Sequence, residues 1–174
     1  MIEIHDQRVE LIDADAILLP VDGALCRLGG AVASALRAAL PPGERADEIE
    51  YVEHALSSLR PLAHPQARAI DGVARWKHII VSAAYPHDVD DTTFSPDACA
   101  RMLRAALPHA IAAVDELGLT TLAATLIGTQ YRMPVDLAVR AFVDGVAAAN
   151  PRITVRWSLP DATHRELARA RLAR

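Results

Sequence analysis

The segment His78-Ile79-Ile80-Val81-Ser82-Ala83-Ala84-Tyr85 constrains the fold more than any other part of the chain. Side chains of a strand alternate between two faces, and here both faces are apolar. Such a strand needs cover above and below, which places it in the middle of a sheet packed between helices. A second run, Thr121-Leu122-Ala123-Ala124-Thr125-Leu126-Ile127, makes the same demand.

Longer helical patterns separate these runs, and that alternation is the mark of an α/β sheet covered by helices. Strands are expected at 8–12 and 16–19, with Pro20 ending the second and Asp22-Gly23 turning the chain. An Ala- and Leu-rich helix follows Gly29-Gly30 and stops at Pro41-Pro42. A helix over 46–59 has Ile49, Val52 and Leu56 at helical spacing. A short strand at 66–70 and the strand at 78–85 come next. Ser95 followed by Pro96 makes a helix start, and that helix should run to Leu117 with a bend or break at Pro108. Then come the strand at 121–127, a helix from Pro134 to about Ala148, a strand at 153–157 that closes the sheet, and a last helix capped by Asp161 or Thr163. The expected architecture is a three-layer α/β/α sandwich around a central mixed sheet. Residues 78–84 and 121–127 should be neighbouring buried strands, and the whole chain, 1–174, one domain.

Composition narrows the function. The chain is long enough to bury a core without staples. Aromatic residues are 4% of the total, so the core must be aliphatic, with Trp76 and Trp157 as isolated large pieces. A formal net charge of −4 with no basic stripe argues against a grip on nucleic-acid phosphates. The arginines at 165, 169, 171 and 174 read as the solvated face of the last helix. Cys26 and Cys99 form no Cys-x-x-Cys pair, and the seven histidines show no ligand spacing. His87-Asp88 with Asp90-Asp91 reads as a solvated loop rather than a cation site. No apolar run approaches the roughly 20 residues of a membrane helix, and the opening Met-Ile-Glu-Ile-His-Asp is no signal peptide. The expectation is a cytoplasmic protein with no metal, no cofactor and neither nucleic acid nor membrane as partner. No phosphate-binding loop of the Gly-x-x-x-x-Gly-Lys type and no Gly-x-Gly-x-x-Gly occurs.

Two loops share one physical logic. Each follows an apolar strand, carries glycine and leads into a helix. Open α/β sheets bind ligands at the carboxyl ends of their strands. A helix start offers unpaired N–H groups and partial positive charge, which suits phosphate. The first loop runs over 20–31 and the second over 128–133, and together they can enclose a diphosphate. Asp22 is the acidic candidate, either for a ribose or as a general base on water; as a plain turn residue it would cap the Asp-Gly loop. Arg132 has the planar fork that pairs with phosphate, and Tyr131 can pack over a ribose. Cys26 reads as a packing residue, since nothing beside it would make it reactive.

Four blocks, in order and at similar spacing, resemble the macro-domain family across roughly residues 8–158. Asp15-Ala16-Ile17-Leu18-Leu19-Pro20-Val21-Asp22 is similar to the family's D-A-I-V-N-A-A-N strand. Gly29-Gly30-Ala31-Val32-Ala33-Ser34-Ala35-Leu36 is similar to G-G-G-V-D-G-A-I. Lys77-His78-Ile79-Ile80-Val81-Ser82-Ala83-Ala84-Tyr85-Pro86 resembles K-H-V-I-H-A-V-G-P. Leu126 through Pro134 resembles the second phosphate loop. The resemblance implies a pocket for ADP-ribose or a related nucleotide diphosphate. Its ligand-binding residues would be Asp22, Gly29, Gly30, Ala31, Val32, Gly128, Thr129, Gln130, Tyr131 and Arg132, with Asp22 the one catalytic candidate. Two asparagines of the family fall on Leu19 and Asp22, and the second loop is about one residue shorter. Two further readings stand beside binding: a hydrolase of ADP-ribosyl or acyl-ADP-ribose esters on the same scaffold, and a structural or interaction domain whose pocket has degenerated.

Overall fold

The computed structural model of the protein describes residues 1–85, 95–129 and 133–173. Six strands form one mixed sheet: β1 (Ile2–His5), β2 (Ala16–Asp22), β3 (Ala67–Asp71), β4 (His78–Tyr85), β5 (Thr121–Ala124) and β6 (Thr154–Ser158). Their order across the sheet is β1-β6-β5-β2-β4-β3. All neighbours are parallel except β3, which runs antiparallel to β4 at one edge. The helices are α1 (Gly30–Ala39), α2 (Arg45–Ser58), α3 (Pro96–Glu116), α4 (Val135–Ala149) and α5 (Ala162–Leu172).

The sheet divides the core by strand parity. Ile17, Leu19 and Val21 of β2, with Ile79, Val81 and Ala83 of β4, pack under α1 and α2 through Val32, Leu36, Val52 and Leu56. Ala16, Leu18, Ile80, Ala84 and Leu122 face the other way, onto α3, α4 and α5. Both faces of the central strands are therefore dry, as their unbroken apolar runs demand, and the architecture is the three-layer α/β/α sandwich.

Several elements differ from the sequence expectation for identifiable reasons. The first strand is Ile2–His5, where Ile2 and Ile4 alternate with Glu3 and His5 at an edge. Residues Val9–Leu11 form a 3-10 turn instead of a strand; Val9 and Ile12, three apart, both point into the core. Because β1 exists, β6 is internal and does not close the sheet. Pro20 does not end β2. Gly23 donates its N–H to Tyr85 O on the β4 side, so strand alternation turns the Pro20 nitrogen to the β5 side. There β2 is paired only at Ala16 and Ile17, and the missing N–H costs no ladder bond. Pro108 does not break α3. The roughly 3 kcal/mol cost of an interior proline is offset by Leu103, Ala106, Leu107, Ala110 and Ile111, all buried.

β4 and β5 are not neighbours; they flank β2. The α3 crossover carries the chain past β2 before β5 is laid down. β5 itself stops at Ala124 rather than Ile127. Trp157 is not isolated either, because it stacks on Phe142 of α4 with ring centroids 4.3 Å apart.

At the amino end of the sheet Asp15 ties β2 to both of its neighbours. Lys77 Nζ donates to Oδ1 at 2.7 Å. Oδ2 accepts from the backbone N–H groups of Thr120 and Thr121, each at 3.1 Å, and from their hydroxyls at 3.0 and 2.9 Å. Asp15 N–H in turn donates to Thr121 Oγ1. The Lys77 hydrogen bond, with the Thr120 and Thr121 donors, holds the Asp15 carboxyl well below the usual carboxylate range, against the opposing push of burial. A folded pKa below the unfolded value of about 3.9 means that the clamp's contribution is complete above that value and is lost as the pH falls through the depressed one. Asp15→Asn should therefore lower stability by about 2 kcal/mol at neutral pH. In urea titrations the gap between the two proteins should close as the pH is taken below about 4; a gap that stays constant down to about pH 2 would contradict the assignment.

Candidate functional site

The pairing of β2 with β5 ends at Ile17. Beyond it the two strands have no ladder between them, and a crevice opens toward their carboxyl ends. The segment after β2 leads into α1 on one face of the sheet, and the segment after β5 leads into α4 on the other. Chains that leave adjacent parallel strands toward opposite faces create the switch-point crevice in which α/β sheets hold ligands.

The two expected loops do meet there. Asp22, Gly29, Gly30, Ala31 and Val32 line one wall, and Gly128 and Thr129 line the other. Gln130, Tyr131 and Arg132 lie outside the described residues, as do His87, Asp88, Asp90 and Asp91. Sequence reasoning missed Arg27, Tyr85 and Thr125, which also border the cleft. Arg27 sits inside the first loop, so its presence there was legible, but not its direction. Tyr85 was read as the end of a strand, and Thr125–Ile127 were assigned to β5 rather than to the cleft wall.

Backbone geometry shapes both walls. Gly30 has φ +68° and Gly128 has φ +107°, left-handed values that L side chains rarely adopt. A β-carbon on Gly128 would also stand 2.6 Å from Met133 Cε and 3.2 Å from the Tyr85 hydroxyl. α1 starts at Gly30, and its first turn leaves the N–H groups of Gly30, Ala31 and Val32 without acceptors inside the helix. No side chain caps this end, and no acidic residue stands in its first turn. The other helices differ: α3 is capped by Ser95 and α5 by Asp161, while α2 and α4 carry acidic residues in their first turns. The positive end of α1 is thus left for something outside the helix. Val32 contributes only backbone, because its side chain is buried under the sheet.

Asp22 is half-buried, and its Oδ1 accepts the N–H of Leu25 at 2.7 Å. The carboxylate therefore serves as the cap of its own loop while it borders the cleft. Cys26 stands behind it, fully buried with φ +42°, its thiol directed to Gly23 O at 3.3 Å. Burial pushes the Cys26 thiol up, and the charge of Asp22 adds to the shift. Cys99 is raised by burial as well. Among the described residues no three His, Cys, Asp or Glu side chains converge as metal ligands, and no helix is long and apolar enough to cross a membrane.

No protein-family model matches the sequence, and no curated protein matches it. The fold, however, has clear relatives. The chain is similar to the Oceanobacillus iheyensis macrodomain with ADP (TM-score 0.75, 17% identity, covering 99% of this chain and 90% of that one). It is similar to a point mutant of that macrodomain with ADPR (TM-score 0.75, 17% identity, 99% and 91% covered). It is also similar to the Trypanosoma brucei macrodomain in complex with ADP (TM-score 0.72, 15% identity, 98% and 68% covered). The architecture is an α/β sandwich with a switch-point cleft. Its fold is that of the macrodomains, reached here with a markedly divergent sequence.

The buried, upshifted thiols give a direct check on the loop behind the cleft. Cys26 and Cys99 should react with DTNB at least ~100-fold more slowly than free cysteine at about pH 8, and at the free rate in denaturant. Fast labelling of Cys26 in the native protein would show that the first loop is not packed as described.

Proposed function

We propose that the cleft binds ADP-ribose or a closely related nucleotide diphosphate, and that the whole chain forms one such module. The uncapped, acid-free N-terminus of α1, opening onto the cleft, carries this reading. The N–H groups of Gly30, Ala31 and Val32 would take one phosphate, and the second glycine loop, from Gly128, would take the other. Asp22 would face the distal ribose, with the loop cap to Leu25 fixing its carboxylate. Arg132 and the rest of the second loop keep the role that the sequence resemblance implies for them. Structural neighbours with ADP or ADPR bound support the ligand class.

Binding is favoured over hydrolysis as the proposed activity because Asp22, the one catalytic candidate, already commits an oxygen to its own loop.

Calorimetry should show ADP-ribose binding at least about tenfold more tightly than AMP, and free ribose not measurably, since neither offers a diphosphate. Gly30→Glu should abolish binding, because a carboxylate would enter the phosphate position and a side chain is strained at φ +68°; circular dichroism on the same sample checks that the fold survives. Asp22→Asn keeps an oxygen for the Leu25 N–H and removes a charge, so affinity should hold or rise. Absence of binding by any diphosphate nucleotide at millimolar concentration would overturn the proposal in favour of a macrodomain fold retained for structure or partner contact.

A further inference from the structure

A second hollow adjoins the cleft on the α2 side. Cys26, Arg27, Leu28, Glu53 and Arg60 line it. Arg27 borders both spaces, so the hollow continues the cleft past the first loop. Two exposed arginines thus border it, Arg27 from the loop before α1 and Arg60 from just beyond the end of α2. No hydrogen bond or ion pair ties either of them to another described residue. Among the described residues Arg8, Arg140, Arg156 and Arg171 each pair with a carboxylate, whereas Arg27 and Arg60, like Arg37 and Arg104, do not; what sets Arg27 and Arg60 apart is their place beside the cleft. Glu53 stands in the same hollow yet pairs with neither Arg27 nor Arg60.

Against the single carboxylate of Glu53 the two arginines leave a net positive charge around the hollow, which an anion can balance. The guanidinium fork matches the two-oxygen edge of a phosphate or carboxylate.

We propose that Arg27 and Arg60 form an anion subsite contiguous with the cleft, so that the ligand carries a second anionic group, phosphate or carboxylate, beyond the diphosphate. The proposal rests on the reading of the cleft as a diphosphate site, with Arg27 standing between the two. Arg27 then serves as a specificity residue: it faces the diphosphate on one side and the added group on the other.

Backbone-amide NMR titrations test the subsite on the intact chain, with inorganic phosphate and succinate as probes, each with and without saturating ADP-ribose. Saturable shifts are expected at Cys26, Arg27, Leu28 and Arg60, and they should persist when ADP-ribose fills the cleft. Arg27→Gln and Arg60→Gln should each weaken the better probe about fivefold or more. Arg104→Gln, on α3 across the sheet, should leave it unchanged. Whichever of phosphate or succinate binds identifies the group. Shifts that ADP-ribose displaces, and that Arg60→Gln does not change, would place the anion in the cleft and overturn the subsite; so would no saturable shift with either probe. If ADP-ribose fails to bind while a probe still depends on both arginines, the diphosphate reading falls and the anion subsite stands.

Discussion

One carboxylate holds the middle of this sheet together at its amino end. Asp15 takes hydrogen bonds from Lys77, just before β4, and from Thr120 and Thr121, at the start of β5. β2 is thereby fixed between two strands that arrive from distant parts of the chain. Charge-assisted bonds of this kind are stronger than neutral ones. The position matters as much as the strength. With β2 and β5 clamped at one end and unpaired beyond Ile17, the gap between them widens toward their carboxyl ends, where the cleft lies.

The walls of that cleft are held from behind. Val32 and Leu36 bury α1 against one face of the sheet, while Ala138, Val139 and Phe142 bury α4 against the other. Phe142 is fixed in turn by its stack on Trp157. The helix starts therefore have settled positions, and the groups they present are mostly backbone. The proposed site, made of N–H groups and glycine φ angles, would ask little of side-chain identity. Asp22, Arg27, Tyr85 and Thr125 are among the side-chain-bearing residues that border the cleft.

Much of the fold was legible because burial on both sides leaves a plain trace in sequence. The run at β4, the first half of the run at β5 (to Ala124), the Ser95-Pro96 start of α3 and the Asp161 cap of α5 all rest on local chemistry and are present. Local chemistry misjudged the elements whose state depends on a partner. Ile2–His5 is a strand because β6 lies beside it. Pro20 is tolerated because nothing pairs with β2 on its nitrogen side. Pro108 is tolerated because packing around α3 outweighs one missing hydrogen bond.

The sequence by itself determined that the chain must build a sheet covered on both faces, and that two glycine loops must follow strands and precede helices. Alternating burial and left-handed turns are properties of a few consecutive residues, so they can be read without knowing the neighbours. Only the tertiary structure decided that β2 lies between β4 and β5, that the two loops border one crevice, and that Arg27 borders both it and the adjoining hollow with Arg60. Strand order and side-chain convergence depend on contacts between residues far apart in the chain, and no local pattern encodes which strand will sit beside which.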